Sequence, residues 1–150
     1  MSKLNSKIKK LSARTILDSR GNPTIELTMF SSDHRVIVSV PSGASTGIHE
    51  AMEMRDNNPK KWNGLGVDKA LKNIKSKIAP LIIGKDCLDQ EELDNVMIDL
   101  DNTVNKSKLG ANAILAVSMG ICRLAAKASG LEPFTYLNRT FFATKPRMPT

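Results

Sequence analysis

Aromatic side chains are scarce: one Trp, one Tyr and four Phe make up 4% of 150 residues. The core must therefore be built from aliphatic residues and from the seven methionines. The same scarcity bears on partners. The N-terminal residues 1–20 hold Lys3, Lys7, Lys9, Lys10, Arg14 and Arg20 against Asp18 alone. No aromatic interleaves them as a stacking platform would. Despite a net charge of +7, a solvated basic arm is expected over residues 1–12, and no nucleic-acid partner. Cysteine is also sparse. Cys87 and Cys122 fit no metal spacing and no CxxC pattern, so reduced thiols and a cytoplasmic setting are expected. A long uninterrupted apolar run is missing too. Residues 109–129 come nearest, but Ser118 and Gly120 interrupt them and Arg123 and Lys127 close them. A membrane span needs about 20 mostly apolar residues, so a buried helix is expected and no membrane partner.

What the chain has is a change of period. Residues 12–18 read as a strand, and Asp18-Ser19-Arg20-Gly21-Asn22-Pro23 as a turn. From Thr24 to Met29 apolar and polar residues alternate, and Val36, Val38 and Val40 repeat the pattern. The short connections predict an antiparallel three-stranded meander. Helical spacing follows. A short helix is expected over 50–55 and another over Val67–Ile78, ended by Pro80 and Gly84. A third is expected over Asp89–Leu100, with Asp89 and Glu92 as a variant capping box. Ala111–Ser129 is apolar almost all round and predicts the central helix, with Gly130 at its C-terminal cap. Residues 133–140 predict a last short helix. The fold class is α+β, a meander followed by a layer of helices.

Between the two halves lies Pro41-Ser42-Gly43-Ala44-Ser45-Thr46-Gly47. Its glycines permit backbone conformations that bulkier residues resist. Its three hydroxyls can bind a hard cation or an anionic ligand. Taken alone, such a cluster most often marks a solvated turn. A loop of this make-up can also close over a charged substrate. His49 and Glu50 beside it are the only candidates for a general base near Ser45, and nothing in the sequence pairs His49 with a nucleophile.

Three motifs in order carry a resemblance: Asp18–Thr24, Pro41–Gly47, and Asn105-Lys106-Ser107-Lys108-Leu109-Gly110-Ala111-Asn112-Ala113-Ile114-Leu115. Arg55-Asp56, Gly64-Leu65-Gly66-Val67 and Ile78-Ala79-Pro80 fit between them. Together they resemble the N-terminal domain of enolase, the phosphopyruvate hydratase of glycolysis. Ile83-Gly84-Lys85-Asp86 and Asp89-Gln90 look more like bacterial members than eukaryotic ones. The resemblance implies a cap domain over residues 13–143, with 144–150 starting a linker. The (β/α)8-like barrel that follows in the family needs roughly 250 residues and is absent from this chain.

Further expectations come from the resemblance alone. Ser45 would ligate the second Mg²⁺. Ser42, Gly43, Ala44, Ser45, Thr46, Gly47 and His49 would form the substrate loop, with Gly43 and Gly47 as hinges of a lid. The catalytic base and acid would lie in the barrel, so the 150-residue chain is expected to be inactive alone. The substrates would be 2-phosphoglycerate and phosphoenolpyruvate, and the assembly a homodimer. Arg14 and Glu26 match family positions at the dimer interface, and ordinary strand-face charges are an equal reading for both. Two departures stand out. Asn102 occupies the place of a usual Gly, and Val36-Ile37-Val38-Ser39 is bulkier than usual before the loop. Two other readings stay open: a free-standing cap used as a dimerisation or nucleic-acid- or protein-binding module, and an independent phosphate- or metal-binding enzyme.

Overall fold

The computed structural model describes residues 5–41, 47 and 50–142. Three strands, β1 (Lys10–Leu17), β2 (Pro23–Phe30) and β3 (Arg35–Ser39), form an antiparallel sheet in the order β1-β2-β3. The alternation in β2 sends Ile25, Leu27 and Met29 inward, all fully buried. The helices are α1 (Asp68–Asn73), α2 (Ala79–Ile82), α3 (Gln90–Asp101), α4 (Ala111–Ala128) and α5 (Pro133–Leu137). Helix α4 lies across β2 and β3, with Ala113, Ala116, Val117, Ile121 and Leu124 on the sheet and core side. It comes close because Gly120 has no side chain: a Cβ there would sit 2.8 Å from Leu27 Cδ2. Helix α3 buries Gln90, Leu93, Met97 and Asp101 at three- and four-residue steps against α4.

By length and composition α4 could cross a membrane, yet 56% of it is buried inside this domain. It is the core helix that the sequence predicts. All three described strands pair antiparallel, so no parallel barrel sheet is formed among the described residues. Within residues 1–12, Ile8 is fully buried, and its N–H donates to Lys85 O at 2.9 Å.

Three local expectations fail, each for a physical reason. Residues 50–58 form no helix. Their backbone is satisfied from elsewhere: Met52 N–H donates to Asn105 O, and Met52 O accepts from Ala111 N–H. Pro80 does not end its helix but sits in the first turn of α2. Helical backbone runs from Asp68 to Ile82 through a wide π turn at Ile74–Ile78. Wide turns of this kind accommodate a local insertion into the ladder. Asp89 takes the N-cap place of α3, but its side chain makes no cap bond. Its backbone (φ −86°, ψ 50°) lies outside the extended region an N-cap side chain needs. Asn102, by contrast, is left-handed (φ 49°) and replaces the usual glycine without breaking the turn.

Candidate functional site

The loop Ser42–Thr46 and His49 lie outside the described residues. This includes the metal-ligand candidate Ser45. The structure does describe the two roots of the loop. On the upstream side, Val40 N–H donates to Ile25 O at 2.9 Å, and Thr24 Oγ1 donates to Val40 O at 2.8 Å. Thr24 is buried, so this bond holds the chain where it leaves the sheet. On the downstream side, Gly47 N–H donates to Glu50 Oε2 at 2.8 Å.

Beyond Glu50 an extended strut runs along the head of α4. Asn112, 3% exposed, treats Met54 as a strand partner would. Its Oδ1 accepts from Met54 N–H and its Nδ2 donates to Met54 O, each at 3.1 Å. Arg55 ties the strut to two other segments. Its Nη1 donates to Pro23 O at 2.7 Å and to Leu65 O at 2.6 Å, and its Nη2 donates to Glu53 Oε1 at 2.7 Å. Arg55 is therefore a part-buried clamp, not a surface residue, and Pro23 O belongs to the Asp18–Thr24 motif. Asp56 completes the strut. Its carboxylate accepts from the N–H groups of Asp68 and Lys69 at 3.0 and 2.8 Å. These are orphan donors at the start of α1, where Val67 offers no cap side chain.

The other two motifs serve the same frame. Asp18 Oδ1 accepts from Arg20 N–H and Asn22 N–H at 2.8 Å each, closing the turn beside the loop. Asp101 is fully buried and organises residues 103–109. It accepts from Thr103 N–H at 3.1 Å, from the Thr103 hydroxyl, and from Leu109 N–H at 2.6 Å. Burial acts to raise its pKa, but the Thr103 hydroxyl and the two amides outweigh it and hold the carboxyl below its usual range.

A cleft of about 740 Å³ opens between these anchors. Its walls include Arg20, Pro41, Gly47, Glu50, Arg55 and Leu115. Among the described residues no group of three or more His, Cys, Asp or Glu side chains could hold a metal ion. Glu50 is engaged with the loop, and Glu53 with Arg55.

Arg14 and Glu26 face each other across β1 and β2, with Arg14 Nε donating to Glu26 Oε1 at 2.7 Å. The Arg14 side chain is 74% exposed. Arg14→Ala in this chain is therefore expected to change stability by no more than about 1 kcal/mol. Urea unfolding checks this, and a larger loss would show that the pair carries part of the fold.

Sequence reasoning missed Arg55, Asp56 and Asn112 as the residues that set the loop frame. Only Asp56 left a trace: α1 begins without a capping residue, so its free amides require a distant acceptor.

Known proteins resemble this chain over most of its length. The family model "Enolase, N-terminal domain" matches residues 8–137. Enolase 1 of Entamoeba histolytica is 55% identical over 130 residues, which cover 87% of this chain and 30% of that protein. The chain thus spans about 30% of the length of this relative. With the meander and the helical layer in place, this chain belongs to the enolase N-terminal domain family.

Proposed function

We propose that this chain is the cap of an enolase, and that residues 41–47 are the lid of a site which dehydrates 2-phosphoglycerate to phosphoenolpyruvate in glycolysis and its reverse. One observation carries the reading. Both roots of a Gly/Ser loop are pinned, at Val40 and at Met52–Arg55, and an open cleft lies beside these roots. A pinned loop over a cleft can close and exclude water without disturbing the core.

In this reading Ser45 supplies one oxygen to Mg²⁺, which prefers oxygen ligands and binds together with substrate phosphate. When bound, the ion offsets the negative charge that develops on the substrate carboxylate. Gly43 and Gly47 give the loop its hinges. Ser42, Ala44, Thr46 and His49 line the closed face, and Asn112, Arg55 and Asp101 position the frame. The residues that move protons belong to the barrel, so residues 13–143 act with it as a cap and 144–150 lead toward it. Arg14 and Glu26 exchange their mutual pairing for charges on a second subunit, giving a homodimer, and the setting is the cytoplasm.

The test uses the natural polypeptide that contains residues 1–150 together with its barrel. Ser45→Ala is expected to lower kcat/KM for 2-phosphoglycerate roughly a hundredfold and to raise the Mg²⁺ concentration needed for half-activity. An unchanged rate and metal dependence would remove Ser45 from the metal. Hydration activity in residues 1–150 alone would overturn the cap reading itself.

A further inference from the structure

The sheet has two edges. β1 lies against α1 and the π turn. β3 pairs only with β2, so its other side is open among the described residues. At the two ends of the β2–β3 ladder, backbone hydrogen bonds join Ser31 to His34 and Ile25 to Val40. Antiparallel pairs alternate, so Arg35, Ile37 and Ser39 turn their N–H and C=O groups away from β2. Two of those carbonyls meet cations from α4: Lys127 Nζ donates to Arg35 O and Arg123 Nη1 to Ile37 O, each at 3.3 Å. The spacings match. Residues four apart on a helix are about 6 Å apart along its axis, and residues two apart on a strand about 6.8 Å. Both bonds are long for their kind, so little is lost when they part. The edge also carries one sign. Arg35, Arg123 and Lys127 are exposed. Residues 30–40 hold a single acid, Asp33, and α4 holds none. Charge on an edge strand resists pairing with its own kind. A second copy of β3 would set three cations against three, whereas an acidic strand turns that repulsion into attraction.

We propose that the free edge of β3 takes up an extended acidic segment of a partner protein as a fourth strand. Main-chain hydrogen bonds to the outward groups of Arg35, Ile37 and Ser39 hold it, as in strand addition generally. Carboxylates two residues apart on the segment draw Lys127 and Arg123 away from the carbonyls of Arg35 and Ile37. Charge-assisted bonds replace the two long ones, and the carbonyls are freed to accept from the incoming N–H groups. Between the carboxylates stands an apolar side chain, which lies beside Ile37, itself exposed. The segment that fits is therefore one of alternating acidic and apolar residues.

The experiment uses the natural polypeptide that contains residues 1–150. Short capped peptides of alternating Glu and Val, Lys and Val, and Glu and Pro carry a fluorescein label, and anisotropy follows their binding. Hydrogen exchange follows the segment Arg35–Ser39. Saturable binding of the Glu–Val peptide alone, with slowed exchange in β3 and an affinity that falls as salt rises, is the expected result. Joining Arg123→Ala to Lys127→Ala should weaken that binding roughly tenfold. Proline cannot donate to a ladder, so equal binding of the Glu–Pro peptide would reveal a surface for any polyanion and overturn the proposal. Tighter Glu–Val binding by the double variant would make the two cations guards of the edge, and would overturn it too. Protection of β3 that grows with protein concentration and needs no peptide would give the edge to a second copy instead. If the double variant fails to fold, the native chain still decides: Lys–Val binding as tight as Glu–Val, or no saturable binding of either, sinks the idea.

Discussion

Gly110→Ala is expected to destabilise the domain by about 3 kcal/mol or more, through two separate causes. Gly110 sits at φ +96°, where any side chain is strained. Its missing Cβ would also lie 2.5 Å from Met54 Cβ and 2.7 Å from Asn112 Oδ1. Neither neighbour can step aside cheaply. Met54 Cβ is fixed to the strut, and Asn112 Oδ1 is the acceptor for Met54 N–H. The surroundings are also bonded on both sides: Gly110 N–H donates to Lys106 O at 2.8 Å, and Gly110 O accepts from Ala113 and Ile114 N–H at 3.1 Å each. The substitution should thus part the strut from the head of α4. Urea and thermal unfolding measure the loss. A change below about 0.5 kcal/mol would show that the contact of strut and helix is not tight.

Asp101→Asn is the second large effect, again about 3 kcal/mol. Three donors converge on one fully buried carboxylate: the Thr103 amide, the Thr103 hydroxyl and the Leu109 amide. An amide in its place keeps one acceptor and turns an NH₂ toward donors. The change leaves a signature in pH as well. The native pKa of Asp101 is lowered, since its hydrogen bonds outweigh burial. The unfolded chain therefore holds the proton more tightly than the native one. The carboxylate's contribution is fully present above the unfolded pKa of about 3.9 and fades as pH falls through the lower native value. The stability gap between native protein and variant should be flat from pH 6 to about 5 and should narrow below about 4. A gap that stays constant down to the acid transition would mean that the bonds persist with Asp101 protonated.

Much of the fold could be read from local pattern. The alternation in Thr24–Met29 gave the buried face of β2, and the unbroken apolar character of Ala111–Ser129 gave the core helix. Asn102 and Gly130 were legible as left-handed positions because few residues tolerate that backbone. The failures have separate causes. Glu50–Arg55 has helical spacing, but its backbone partners lie more than fifty residues away at Asn105, Ala111 and Asn112. No local window contains them. The Asp89–Glu92 spacing suggested a reciprocal cap, yet Glu92 instead lies 3.7 Å from Lys85 Nζ. The site divided along similar lines. The glycines and hydroxyls of 41–47 mark a candidate loop, of which the described residues hold the roots. The clamp made by Arg55 was not legible, because a guanidinium bound to two carbonyls leaves no mark in sequence spacing.

The pinned roots also set a leash. Pro41 follows the bond that fixes Val40, and Ser45 is four residues further on. A fully extended chain covers at most about 3.5 Å per residue, so Ser45 can travel no further than about 14 Å from Pro41. The Glu50 side draws a second sphere, five residues in radius, around a point held by the strut. Ser45 is confined to the overlap of the two. On the proposed role of Ser45, its ion would have to lie within reach of that lens. In that role the cap would act as a gauge of distance: a metal presented several ångströms out of register would lie beyond the hydroxyl's reach.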